Sequence, residues 1–403
     1  MYDLIIRKGT LSGGRGVNDI AINKGVIAQV APRIAERGRK EVNASGRLVT
    51  ESFVNTHLHL CKVFTLPMMN EEALKSYHGD GMGKAMGAIE LAAKIKEKYA
   101  VEWIVPNVRK ALRQAITYGC THIRAFADVD SKAKLIGVEA LIKAREEFRG
   151  VVDVQVVAFP QDGVVREPGT EKLIKEAMKM GADVVGGIPW IEFTDEDSRT
   201  HVEKMVEIAH KLDRDVSMLV DDAGDPNLRT AEMLAVALLR RGMVGRGLIH
   251  HARAMALYPQ PTFQKLSALL KKARMGVVSD PHTGPLHARV KELLAEGNLV
   301  CLGQDDISDA YYPFGRNNML EVAFLNSHLL WMTTAADMEV LLRMVTTDAA
   351  ACINVKGFAI ARGNVANLVV HDQPDLTEAL RYHEKPAAVV SHGKLVDLSK
   401  YTF

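Results

Sequence analysis

The sequence predicts an α/β fold, namely a (β/α)8 TIM barrel with a small β-sandwich domain formed by both termini. Two observations predict it. Between residues 53 and 306, eight short apolar runs alternate with segments of helical periodicity, as such a barrel requires. The two flanks instead alternate apolar and polar residues around glycine turns. We therefore expect a barrel over residues 53–351 and a small β-domain over residues 1–52 and 352–403.

The predicted strands are rich in β-branched residues, and amphipathic helices separate them. The strands are residues 53–60, 121–129, 154–160, 184–190, 216–222, 248–254, 276–282 and 299–306. The helices include residues 138–148, 171–180, 199–212, 228–241, 262–273 and 286–295. In the flanks, residues 19–27 form a predicted hairpin, and residues 366–370 and 388–396 repeat its pattern. Residues 66–86 are expected to form a long loop over the first strand.

Composition indicates a small-molecule enzyme of the cytoplasm. The 51 lysines and arginines nearly balance 49 acidic residues, which argues against a nucleic-acid partner. The four cysteines lie far apart in sequence, so neither a disulfide framework nor a zinc knuckle is predicted. The chain shows no signal-peptide pattern and no apolar run of membrane-spanning length, so we expect no membrane partner. A homo-oligomer is compatible with this composition.

The motif His57-Leu58-His59 ends the first apolar run. Residues two apart in a strand face the same side, so both imidazoles can bind one divalent cation. A pair of structural histidines would have the same spacing, but the setting favours a metal site. Asp305 and Asp306 end the eighth run, and the C-terminal ends of barrel strands form the active face.

Other polar residues also collect where the predicted strands end, and we expect them to converge on one cavity. They are Arg124 and Asp128 in the second strand, Gln161 after the third, Asp221 and Asp222 in the fifth, His250 and His251 in the sixth, and Asp280 and His282 in the seventh.

These motifs resemble the amidohydrolase superfamily, and within it the cytosine deaminase branch that also holds aminohydrolases of triazine rings. The resemblance covers nearly the whole chain. It is carried by residues 57–59, 122–130, 156–163 and 303–315, with weaker similarity at residues 357–368.

The resemblance implies a role for each strand-end residue. His57, His59 and Asp305 become ligands of one metal ion, although an aspartate after a strand is also a common helix cap. His251 would lie beside the metal-bound water, and Gln161 would read the amide edge of the substrate ring. Asp306 would orient the ring and shuttle a proton.

The fourth run offers no lysine of the kind that bridges two metals in binuclear members, so one metal ion is expected. Trp190, which ends this run, is expected to pack against the substrate or a neighbouring helix.

The fifth strand departs from the family pattern. Relatives carry a histidine ligand there and, three residues later, a glutamate that acts as general acid and base. Alignment on Asp225-Pro226 places Leu219 at the ligand position and Asp222 at the glutamate position, whereas a shifted alignment would place Ser217 at the ligand position. Three interpretations follow: another group such as Asp221, Asp222 or His251 completes the metal site, the protein binds metal poorly, or its chemistry has changed. We favour the first.

The predicted function is metal-dependent hydrolysis that removes an amino or substituted amino group from a cytosine-like or triazine-like heterocycle. The cation would lower the pKa of a bound water toward about 7, and Asp222 would transfer the proton. Zinc or iron is expected, with manganese or nickel as alternatives. Hydrolysis of a cyclic amide or of another C–N or C–halogen bond is the alternative reaction. A catalytically impaired barrel that only binds a heterocycle is the alternative without turnover.

Overall fold

A computed structural model of the chain describes residues 1–69, 75, 93–280 and 284–402. Most of the predicted loop over residues 66–86 lies outside the described residues, and so does His282. Within this part of the chain, no helix is long and apolar enough to cross a membrane.

Eight parallel strands form the barrel, each paired with its neighbours in sequence. They are Phe53–Leu58, Cys120–Asp128, Asp153–Phe159, Val184–Gly187, Asp215–Val220, Gly247–His251, Gly276–Ser279 and Leu299–Leu302. A parallel bridge between Leu58 and Asp305 joins the first strand to the eighth. The fourth strand ends before Trp190 because Ile188 leads into Pro189, which has no N–H to donate and begins the short 3-10 helix Pro189–Ile191.

Helices surround the barrel and pack their apolar faces on it. They are Val101–Thr117, Ile136–Glu147, Thr170–Met180, Asp195–Lys211, Thr230–Arg240, Gln260–Ala273, Val290–Ala295, Met319–Leu329, Ala335–Met344, Thr347–Cys352 and Leu376–Tyr382. The main core lies between these helices and the outer faces of the strands.

Strands from both chain ends form one mixed sheet beside the barrel. Its strands are Tyr2–Leu11, Gly16–Asn23, Val26–Ala31, Gly38–Asn43, Leu48–Glu51, Leu368–Val370, Ala388–Ser391 and Lys394–Leu395. The predicted hairpin is present, and its two-residue turn Lys24-Gly25 has positive φ at both positions, which glycine accepts without strain. The predicted fold class is confirmed. The domain boundaries at residues 52/53 and 351/352 stay a prediction.

Candidate metal centre and active site

Three histidines and one aspartate meet at the C-terminal end of the barrel. Asp305 Oδ1 lies 2.9 Å from His57 Nε2, 3.6 Å from His59 Nε2 and 4.0 Å from His251 Nε2. All four side chains are buried. His57 lies in the first strand, His59 directly follows it, His251 ends the sixth strand and Asp305 follows the eighth. The structure therefore brings together residues that are far apart in sequence.

The backbone around this cluster is strained. His251 and Asp305 have φ values of 66° and 65°, in the left-handed region that costs a non-glycine residue about 1–3 kcal/mol. Gly303 lies between the eighth strand and Asp305, where any Cβ would collide with His57 and Asp280. Such strain clusters at functional sites, because the surrounding structure must hold the side chains in one arrangement.

Burial determines the charges of the cluster. It lowers the pKa of His57, and it lowers the pKa of His59 and of His251 well below the ordinary value. Burial alone would raise the pKa of Asp305, but the adjacent His251 and His57 hold it well below its ordinary value. Neutral imidazoles and an ionised carboxylate are the states in which these groups bind a metal ion.

A second carboxylate, Asp222, faces the cluster from the end of the fifth strand. Its Oδ2 lies 4.0 Å from His251 Nε2, and its Oδ1 lies 2.5 Å from a guanidinium nitrogen of Arg253. The other end of the same guanidinium lies 3.8 Å from Asp305 Oδ2. Burial raises the pKa of Asp222 to about 7 against the opposing charge of Arg253.

Asp221 points away from this cluster. Its Oδ1 accepts hydrogen bonds from the backbone N–H and the hydroxyl of Thr230, at 2.6 and 2.7 Å. Its Oδ2 accepts a hydrogen bond from the Tyr258 hydroxyl at 2.6 Å. The side chain therefore caps the helix Thr230–Arg240 and holds Tyr258, so it offers no ligand to the cluster.

An apolar wall borders His57 and His59. Leu219 and Trp190 are buried there in one cluster with Phe126 and other apolar side chains of neighbouring strands. The Phe126 ring lies 4.4 Å from the His57 ring. Trp190 Nε1 is buried and has no hydrogen-bond partner among the described residues.

Gln161 lies in a polar network next to this wall. Its side-chain oxygen accepts a hydrogen bond from Lys62 Nζ at 2.8 Å. The same ammonium group lies 3.7 Å from Asp128 Oδ1 and 5.2 Å from the centre of the Tyr311 ring. Burial alone would lower the pKa of Lys62, but Asp128 and other nearby groups raise it, so the side chain stays charged.

Asp306 connects this side of the site to the cluster of histidines and Asp305. Ligand atoms of His59, Asp305 and Asp306 lie within 4.8 Å of one another. Burial, Asp305 and Asp309 together raise the pKa of Asp306 well above its ordinary value. Its Oδ1 has no hydrogen-bond partner in the described part of the chain.

Sequence reasoning misses two residues of the site, Lys62 and Arg253, and gives no role to a third, Asp280. Lys62 follows His59 by three positions inside an otherwise apolar segment, which is an unusual setting for lysine and was the available signal. Arg253 follows His251 by two positions but carries no signal of its own. Asp280 was grouped with the strand-end residues without a role, and its Oδ2 lies 3.2 Å from His251 Nδ1.

The chain is similar to known proteins along nearly its whole length. The sequence profile of the amidohydrolase family matches residues 40–397. N-isopropylammelide isopropyl amidohydrolase of Pseudomonas sp. (strain ADP) is 30% identical over 402 residues, covering 98% of this chain and 97% of the relative.

Two solved structures are similar over nearly their whole length. 5-Methylcytosine deaminase from Klebsiella pneumoniae, liganded with 5-fluorocytosine, is 28% identical with a TM-score of 0.89 and 97% of each chain covered. N-isopropylammelide isopropylaminohydrolase from Burkholderia multivorans is 26% identical with a TM-score of 0.85 and 98% of each chain covered.

The chain belongs to the amidohydrolase family. This membership confirms the predicted family and the predicted class of enzyme, a hydrolase that acts on C–N bonds. The buried cluster of histidine and aspartate suggests a metal site.

Proposed function

We propose that this enzyme removes an amino or substituted amino group from a cytosine-like or triazine-like ring, with one divalent cation held by His57, His59 and Asp305. The observation that carries the proposal is the convergence of imidazole nitrogens on Asp305 Oδ1. Buried imidazole nitrogens and a carboxylate oxygen are the donors that zinc and iron accept. The residues present therefore fit the cation.

The cation would supply hydroxide at neutral pH by lowering the pKa of a water molecule. Asp222 Oδ2 faces the same point, so it would accept the proton of the attacking water. It would then donate that proton to a ring nitrogen and assist departure of the amine. His251 borders the same space, where the family resemblance predicts contact with the reacting water.

The remaining polar groups would hold the ring. The Gln161 amide, fixed by Lys62, can donate and accept along the amide edge of a pyrimidine or triazine. Asp306 and the Trp190 N–H would orient the ring from two sides. The two relatives that act on isopropylammelide and the relative bound to 5-fluorocytosine support a heterocyclic substrate.

The test combines metal analysis with a product screen. Protein purified without chelator should contain one divalent cation, and zinc or iron is expected. Incubation with cytosine-like and triazine-like amines, including N-alkylated ones, should release ammonia or an alkylamine. Mass spectrometry separates this exchange of amine for hydroxyl from opening of a cyclic amide, which adds a whole water, and from loss of a halide. Ligand binding without turnover would instead indicate an impaired barrel.

Asp222→Asn tests the proton-transfer step. The variant should keep its metal and lose turnover by about 10²-fold or more, the usual contribution of a general acid–base group. Asp225→Asn is a matched control, because it makes the same change at an exposed position of the same loop. Unchanged turnover in Asp222→Asn would contradict this role. Loss of the metal would make Asp222 a ligand instead.

A further inference from the structure

Leu219 leaves a gap in the predicted set of metal ligands. The resemblance assigns a histidine to this position of the fifth strand, and a leucine side chain cannot bind a cation. Leu219 is buried in one apolar cluster with Phe126, Phe159 and Trp190. No polar group from this position therefore reaches the proposed metal site. The nearby Asp221 carboxylate is occupied by Thr230 and Tyr258. A replacement ligand must therefore come from elsewhere.

His251 already has the geometry of a ligand. Its Nε2 approaches Asp305 Oδ1, the atom on which His57 and His59 also converge. Ligand atoms of His57, His251 and Asp305 lie within 4.8 Å of one another. The other ring nitrogen, Nδ1, lies 3.2 Å from Asp280 Oδ2. Metal-binding histidines commonly direct their second nitrogen to such a carboxylate, which fixes the tautomer and the ring orientation.

Asp222 is less suited to the ligand role. Its Oδ1 is engaged by Arg253 at 2.5 Å, whereas the same guanidinium lies farther from Asp305, at 3.8 Å. Among the described residues, Asp222 also belongs to neither of the groups whose ligand atoms lie within 4.8 Å of one another. Asp222 Oδ2 thus remains available for proton transfer.

We infer that His251 is a metal ligand and replaces, from the sixth strand, the histidine that the fifth strand lacks. The inference rests on the proposed function and specifies its metal site. The ligand set becomes His57, His59, His251 and Asp305. Three imidazoles and one carboxylate are retained, although one imidazole has moved to the neighbouring strand. Leu219 then extends the apolar wall of the site.

The first test is metal content. His251→Asn should lose metal affinity by more than the roughly 10–100-fold expected when only an outer partner of a ligand is removed. The double variant Leu219→His with His251→Asn should regain affinity, because it returns an imidazole to the fifth strand. Titration with Zn²⁺ followed by equilibrium dialysis measures both effects without a substrate.

A second measurement does not depend on the folding of any variant. In a crystal structure of zinc-loaded wild-type protein, the anomalous peak should lie about 2.0–2.1 Å from His251 Nε2, the usual zinc–nitrogen distance. A peak bound to His57, His59 and Asp305 but distant from His251 would overturn the inference and leave the proposed function intact. Wild-type protein that binds no divalent cation would defeat the proposed function itself.

Discussion

At the scale of single residues, Arg253 is the least expected member of the site. Arg253 is only 2% exposed, and its guanidinium lies between the carboxylates of Asp222 and Asp305. Asp222 is one methylene shorter than the glutamate expected from the family, so its carboxylate reaches less far from the fifth strand. The hydrogen bond from Arg253 to Oδ1 leaves Oδ2 turned toward His251. We interpret Arg253 as a positioning residue for Asp222.

Arg253→Met should lower kcat by about 10–100-fold, as expected from loss of a hydrogen bond to a charged group worth about 1.5–3 kcal/mol. KM should change much less, because the contact concerns proton transfer. Arg253→Lys should restore part of kcat, since an ammonium group can still donate to Asp222. Steady-state kinetics with parallel metal analysis measures these effects. Equal kcat in the wild type and the methionine variant would argue against a positioning role.

At the scale of the elements, the two carboxylates at the end of the fifth strand have different environments. Asp221 has a φ of 47°, and the chain turns there so that neighbouring side chains face opposite ways. Asp221 fixes the start of the helix Thr230–Arg240, whereas Asp222 faces His251 and the histidine–aspartate cluster. The hydrogen bonds of Asp221 therefore fix the end of the strand from which Asp222, the proposed proton-transfer group, projects.

Asp221→Asn should destabilise the protein by about 1–3 kcal/mol, because one buried acceptor oxygen becomes a donor and a hydrogen-bond partner is left unsatisfied. Tyr258→Phe should cost about 1 kcal/mol, since it removes the hydroxyl that contacts both Asp221 Oδ2 and the Leu228 carbonyl oxygen. Urea unfolding measures both free energies, and zinc content should stay unchanged in Asp221→Asn. Metal loss from the folded variant would show that Asp221 contributes to the site after all.

At the scale of the whole molecule, the sheet formed by both chain ends packs on the barrel. The strand Leu368–Val370 pairs with Leu48–Glu51 on one side and Ala388–Ser391 on the other. Leu368 and Val370 face the apolar cluster of the sheet, whereas Val369 belongs to the main core of the barrel. Successive side chains of this short strand face opposite sides, so the strand contributes to both cores.

Val369→Ala should lower the free energy of unfolding by about 2 kcal/mol, from lost burial and the cavity that remains. Val17→Ala is a matched control. It removes the same two methyl groups, but from a side chain that is 54% exposed. Chemical denaturation of both variants gives the comparison. Similar small effects would mean that the sheet and the barrel are not tightly packed at Val369.

The sequence by itself determined the alternation of strands and helices, the β-domain from both chain ends and the convergence of His57, His59 and Asp305. Local periodicity predicts the alternation and the β-domain. The convergence follows from the rule that the C-terminal ends of barrel strands share one face. The sequence could not separate the roles of Asp221 and Asp222, because the backbone turn between them depends on the helix cap. It also could not place Lys62 beside Gln161, or Arg253 beside Asp222. Each of those contacts joins two segments that are far apart in the chain, so the partners meet only once the barrel has closed.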